Sequence, residues 1–323
     1  MHLASFRCAG RDTYGVRVSE DRLLDLRAAS EELPADLKGL IAAGEAAMAR
    51  VRALAARKDL PTLALAEVAW LPPVTRPGKI VGVAMNNRAS DARKISAPEH
   101  PMFFMKPTTC LVGHGEAIEI RPYYGSLHPE PELAVVVGTG GRDLDPRTAD
   151  EAVFGYTIFN DITGNGMRAE DMVHYHALYG SAEDPDRLER REQHLSYAAR
   201  YKGTDGFGPM GPWLVTRDAV VDPHALDVTC TVGGEVVAED STAHLKYRVP
   251  EVLAFLSRFQ SLEPGDVISM GTAFKPAAGA KRSLHTADLS RLDGPVEVTI
   301  TGLGTLSNGV RRAPGPATDW RLP

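Results

Sequence analysis

Two glutamates separated by one residue open the most chemically loaded stretch of this chain, Glu130-Pro131-Glu132 running into Leu133-Ala134-Val135-Val136-Val137-Gly138. In an extended strand, side chains at i and i+2 point to one face. Glu130 and Glu132 then stand side by side at the mouth of an apolar strand. Like charges beside a core repel each other and resist desolvation, so a compensating charge is required. A divalent cation supplies it. Oxygen ligands without a neighbouring cysteine or paired histidine favour Mg²⁺, with Mn²⁺ or Ca²⁺ as alternatives, over zinc. Taken alone, the pair equally suits a solvated acidic strand entrance. Asp161 adds a third carboxylate, because it ends the apolar run 155–160 and a strand there delivers it to a sheet end.

The elements that must position these groups are mainly β. Short segments rich in β-branched residues at 79–85, 117–120, 133–137, 157–160, 213–216, 267–270 and 296–301 are separated by turn signals. Gly233-Gly234 marks a two-residue hairpin between 227–231 and 235–238. One helix interrupts them, with Val252, Phe255, Leu256 and Phe259 on one face and Pro264-Gly265 ending it. Residues 1–74 read as a small α/β domain. There, strands at 14–18 and 23–26 precede a helix with Leu37, Leu40, Ile41, Met48 and Val51 on one face and Asp36 at its N-cap. The proline-rich Leu71-Pro72-Pro73-Val74-Thr75-Arg76-Pro77-Gly78 marks a linker, so a catalytic domain over 75–311 and a loose tail over 312–323 are expected. The polar segment from about 165 to 200 is predicted to be helical in pieces.

Composition narrows the function classes. A net charge of -6 without a basic block gives no footprint for nucleic acid or an anionic membrane surface. No apolar run approaches the roughly 18 residues of a spanning helix. The three dispersed cysteines, Cys8, Cys110 and Cys230, fit a reducing compartment, and MHLASFRCAG lacks a signal-peptide pattern, so a cytoplasmic location is expected. No G-x-S-x-G, H-E-x-x-H or P-loop motif is present, and Gly302-Leu303-Gly304 does not open a βαβ unit.

The ordered motifs resemble the fumarylacetoacetate hydrolase family over roughly residues 75–310. They begin with Pro77-Gly78-Lys79-Ile80-Val81-Gly82-Val83-Ala84-Met85-Asn86 and Phe104-Met105-Lys106-Pro107, and continue through the Glu130–Gly138 run and Gly155-Tyr156-Thr157-Ile158-Phe159-Asn160-Asp161. Lys202 with Gly208-Pro209-Met210-Gly211-Pro212-Trp213, and Leu262-Glu263-Pro264-Gly265-Asp266-Val267-Ile268-Ser269-Met270-Gly271-Thr272, complete the series. The resemblance implies an α+β, mainly β protein with a mixed β-sandwich roll as catalytic domain, as a rule in homodimers. It implies a Mg²⁺-type ion on Glu130, Glu132 and Asp161 and a small 2-oxo or enol carboxylic acid as partner. Hydrolysis of a C–C bond in an acylpyruvate- or fumarylacetoacetate-like acid is the leading activity. Under this resemblance Lys202 and Lys106 are catalytic candidates, as a second positive charge near an enolate oxygen and a partner for a substrate carboxylate. For Lys106 a structural ion pair is an equal expectation. Gly271, Thr272 and Asn86 are the expected substrate-binding residues.

One departure bears on the reaction. Much of the family carries a water-activating His–Glu pair on a lid, and here Ser90 and Arg93 stand at those positions. Glu99-His100, at the end of the same segment, is the first candidate for a replacement base. His174 and His176 are the second, although on a helix these two would diverge. Two further differences are His128-Pro129 before the first glutamate and Ala273-Phe274-Lys275 after Thr272. Loss of the lid pair removes the water-activating element but leaves enolate stabilisation, so isomerisation, decarboxylation or hydration of a similar acid is the alternative. A non-catalytic binding protein of the same fold is the reading from another class.

Overall fold

The computed structural model describes residues 1–318, 320 and 321. Its frame is a twelve-stranded sheet whose main path runs Leu63–Ala64, Arg22–Asp25, Arg11–Arg17, His2–Cys8, Gly208–Thr216, Val153–Asn160, Pro131–Val137, Val267–Ser269, Ile80–Ala84 and Met102–Lys106. Neighbours on this path are antiparallel except Val267–Ser269 against Ile80–Ala84. A second, four-stranded sheet pairs Glu235–Ser241, Asp227–Val232, Val296–Ile300 and Gly304–Asn308.

Pro131–Val137 is buried along its whole length because it has a core on each face. Leu133, Val135 and Val137 join one core with the four-stranded sheet and the helix Val249–Phe259. Ala134 and Val136 join the other, with Leu37, Leu40, Ile41, Met48 and Val51 of the helix Leu37–Ala55. Asp36 caps that helix by accepting from the Gly39 N–H at 2.7 Å. In the helix Val249–Phe259 the buried face is Val249, Val252, Leu253 and Leu256, whereas Phe259 is exposed, so the expected apolar face is displaced toward Leu253.

The sheet runs through the expected boundary at residue 75. His2 and Leu3 pair with Val215 and Leu214 of the catalytic part. The proline-rich stretch expected to be a linker is pinned as well, since Val74 is buried and the Pro73 carbonyl accepts from Ser5 Oγ at 2.7 Å. The largest difference lies at 165–200. Only Asn165–Glu170 and Ala199–Gly203 are helical, and between them Met172–Gly180 and Leu188–Ser196 form a hairpin. Its cause is an alternating order in which Val173, Tyr175, Ala177 and Tyr179 share one face and His174, His176 and Leu178 the other. Of the expected tail over 312–323, only Arg312 is in a strand, the last residue of Val310–Arg312, which lies parallel on Ile118–Ile120, while residues 319, 322 and 323 lie outside the described residues. Among the described residues no helix is long and apolar enough to cross a membrane.

Candidate active site

Adjacent antiparallel strands carry the carboxylates to one sheet end. Pro131 pairs with Asn160 across the two strands, and the Asn160 side chain accepts from the Glu130 N–H at 2.9 Å. The Asp161 N–H returns a bond to the Glu130 carbonyl at 2.9 Å. This reciprocal clamp holds Glu130, Glu132 and Asp161 together, with one carboxylate oxygen of each within 4.8 Å of the others. Thr272 Oγ1 bridges the pair, 2.9 Å from Glu130 Oε2 and 3.1 Å from Glu132 Oε1.

Two ammonium groups face these three carboxylates. Lys202 Nζ lies 2.5 Å from Asp161 Oδ2 and 2.8 Å from Glu130 Oε2, so a positive charge already sits between two of them. Lys106 Nζ meets Asp161 Oδ1 at 2.6 Å and donates to the Phe207 carbonyl at 3.0 Å and to the Lys202 carbonyl. Burial raises the Glu132 carboxyl, the charges of Asp161 and Glu130 raise it further, and it stands at about 8. Burial acts the same way on Glu130, but Lys202 and His128 override it and hold Glu130 well below the usual carboxylate range. Burial pulls Lys202 down, yet Asp161, Glu130 and Glu132 outweigh it and keep the amine charged. A buried carboxylate that resists ionisation beside two others is what an oxygen-ligated divalent cation relieves. The donor set fits such an ion.

Glu130, of the three carboxylates, lines a cavity of about 460 Å³ whose walls also include Lys202, Thr272, Arg93, Arg168 and His285. A larger groove of about 950 Å³, lined in part by Ile41, Met48 and Arg52 of the helix Leu37–Ala55, holds none of the carboxylate set.

The expected site residues divide between wall and scaffold. Lys202 and Thr272 line the cavity. Lys106 does not. Its amine is consumed behind Asp161, which makes it the structural ion pair and not a partner for substrate. Asn86 borders the cavity but spends its amide on the Tyr247 and Met270 carbonyls and its oxygen on the Tyr247 N–H. Gly271 gives its N–H to Glu132 at 2.9 Å, so it orients a carboxylate and does not greet a ligand. Its φ of +101° and a would-be Cβ only 2.8 Å from the Asn86 Cβ require glycine there. Glu99 and His100 are exposed, and the His100 ring stacks on Phe255 at 5.3 Å, away from the cavity. His174 and His176 sit on the exposed hairpin, where strand geometry puts them on one face and not apart as on a helix.

At the lid, Ser90 is buried and donates to the Asn87 carbonyl at 2.6 Å, while the Arg93 guanidinium lies 4.1 Å over the Phe274 ring. Sequence reasoning named His128 only as a difference before the first glutamate and missed His285 altogether. The Asn165 amide donates to His128 Nδ1 at 2.7 Å, so His128 Nε2 carries the proton and donates to Glu130 at 3.1 Å. His285 packs edge-on to His128 at 4.8 Å and accepts from Arg93 at 3.3 Å. Partial burial, with the charge of the neighbouring Arg93, lowers the affinity of His285 for a proton. His128 stands at i−2 from Glu130, where alternation could have flagged it. His285 has no local signal, being carried in by a loop from the far end of the chain.

The family model "Fumarylacetoacetate (FAA) hydrolase C-terminal" matches residues 79–311. The chain is 34% identical over 290 residues to the oxaloacetate tautomerase FAHD2A of Bos taurus, a mitochondrial protein, covering 89% of this chain and 83% of the relative. It is 30% identical over 328 residues to the oxaloacetate tautomerase YisK of Bacillus subtilis (strain 168), covering 96% and 100%. Among solved structures, the fumarylacetoacetate hydrolase of the psychrophile Exiguobacterium antarcticum superposes with a TM-score of 0.72 at 28% identity, over 97% of this chain and all of that one. Matched through its catalytic sheet and along nearly its whole length, this chain belongs to the fumarylacetoacetate hydrolase family.

Proposed function

We propose that this protein is a divalent-metal-dependent tautomerase that interconverts the keto and enol forms of a 2-oxo dicarboxylic acid of the oxaloacetate class. Metal-dependent action on a small organic acid is supported by the carboxylate set together with the tautomerase relatives. The observation that carries the finer reading is the lid. Where much of the family has a water-activating pair, Ser90 is tied to backbone carbonyls and Arg93 presents a cation to the cavity. C–C hydrolysis needs an activated water. Tautomerisation needs only a proton carrier and charge to stabilise an enolate.

When bound on Glu130, Glu132 and Asp161, the ion supplies positive charge that favours the enolate over the ketone. The side chains of this chain do the rest. Arg93 and Arg168 hold the carboxylate distal to the ketone, which is why a dicarboxylic acid is favoured over a monoacid. His285, kept neutral by its surroundings, takes the proton from the carbon next to the ketone. Lys202, held charged, donates a hydrogen bond to the developing enolate oxygen, and His285 passes the proton it has taken to that oxygen, so both side chains end as they began and ketonisation runs the same steps in reverse. Thr272 fixes the two glutamates in register.

The test is to follow the enol absorbance of oxaloacetate with the purified protein, with and without Mg²⁺ or Mn²⁺, and to assay acylpyruvate cleavage in parallel. The expected result is metal-dependent loss of enol absorbance, with a His285→Ala variant slower by roughly 100-fold or more. Cleavage of acylpyruvates to two products without any effect on oxaloacetate would replace this reading with hydrolysis.

A further inference from the structure

Residues of the hairpin formed by Met172–Gly180 and Leu188–Ser196 belong to neither core. Its antiparallel register sets His174 directly opposite His194 and His176 directly opposite Glu192. Alternation therefore puts three imidazoles and one carboxylate on a single face. The His174 and His194 rings stack at 4.1 Å with 12° between their planes. His174 Nε2 lies 2.5 Å from Glu192 Oε1. One ligand atom from each of His174, Glu192 and His194 lies within 4.8 Å of the others. All of these side chains are exposed, so burial does not account for their convergence.

We propose that His174, Glu192 and His194 form a second metal site, with His176 available on the same face to complete a four-coordinate shell. The ligand chemistry differs in kind from that of the three-carboxylate site. Imidazole nitrogens with a single carboxylate select borderline cations of the zinc class, whereas an all-oxygen site takes Mg²⁺ or Ca²⁺. The placement has a structural consequence. A lone two-stranded hairpin is marginally stable in water, and a cation bonded to both strands locks their register. This hairpin joins the helix carrying Arg168 to the short helix carrying Lys202, and both of those residues line the cavity.

Titrating the full chain with Zn²⁺ by calorimetry, and with Co²⁺ by visible absorption, tests the assignment. Two classes of site are expected in the unaltered protein. His174→Ala and His194→Ala lose one class, by at least the roughly ten- to hundredfold that removing even an outer partner costs a metal site. Glu132→Ala loses the other class and keeps Co²⁺ bands of nitrogen ligation. Retention of both classes in His194→Ala, or loss of all binding in Glu132→Ala, overturns the proposal. Because the hairpin side chains lie outside both cores, circular dichroism of the two histidine variants should match the parent, so their loss of binding reports on ligands and not on folding.

Discussion

Glu132 gathers the site's electrostatics into one carboxyl. Its folded-state value of about 8 lies above the ordinary 4.5, so the folded protein holds a proton there that the unfolded chain releases. That contribution to stability is full below the ordinary value and is lost as pH rises through about 8. Glu130 has the opposite sign, because its lowered value contributes above the ordinary range and is lost in acid. The melting temperature of the metal-free protein is therefore expected to fall between about pH 5 and about pH 9. A Glu132→Gln variant should flatten that fall, and saturating Mg²⁺ should shrink it; an unchanged slope in the variant would refute the assignment. A second expectation concerns Lys202. Replacing it with Met should cut turnover by roughly 100- to 1,000-fold, the scale for a lost oxyanion donor, measured as kcat on oxaloacetate.

The three carboxylates were legible in the sequence because each stands beside an apolar run whose pattern fixes its direction, whereas Lys202 was legible only through the family resemblance. Asn86 and Gly271 were legible as site residues but not as scaffold, and for Lys106 the two readings stood level, since what a group donates to depends on segments more than a hundred residues away.

Among the elements, the Val267–Ser269 strand and the Gly271-Thr272 turn after it carry the tightest geometry near the site. Gly271 combines a left-handed φ with close approach to Asn86. Gly271→Ala is expected to destabilise the fold by about 1–3 kcal/mol from backbone strain alone, and to weaken metal binding by withdrawing an N–H from Glu132. Urea unfolding and metal titration of the variant check the two effects separately. Element prediction succeeded where periodicity was unambiguous, as in the capped helix Leu37–Ala55 and the Gly233-Gly234 hairpin. It failed at 172–196, where the face of the first strand that carries Val173, Tyr175, Ala177 and Tyr179 is continued in the second by Gln193, Arg191 and Glu189, so the alternation does not carry across the hairpin.

At the scale of the molecule, the first 74 residues are part of the frame that holds the site. His2–Cys8 hydrogen-bonds to Gly208–Thr216, and the helix Leu37–Ala55 closes the core behind Ala134 and Val136. A chain beginning at residue 75 is expected to be insoluble or to melt without cooperativity. A soluble, cooperatively melting truncation would show that the catalytic part stands alone. The sequence indicated a boundary there because proline-rich composition announces irregular backbone, and irregular backbone can be pinned as firmly as a strand.

Pro131–Val137 touches different partners with its odd and even residues, and it ends in the glutamates. Each side chain along it therefore answers to a separate set of neighbours, and no change on one side can be absorbed by the other. Drift in this segment is expected to proceed only in compensated pairs, one in the strand and one in the facing layer. The hairpin at 172–196, with exposed side chains outside both cores, carries no such constraint, and single substitutions there are expected to leave the strand end and its chemistry unchanged.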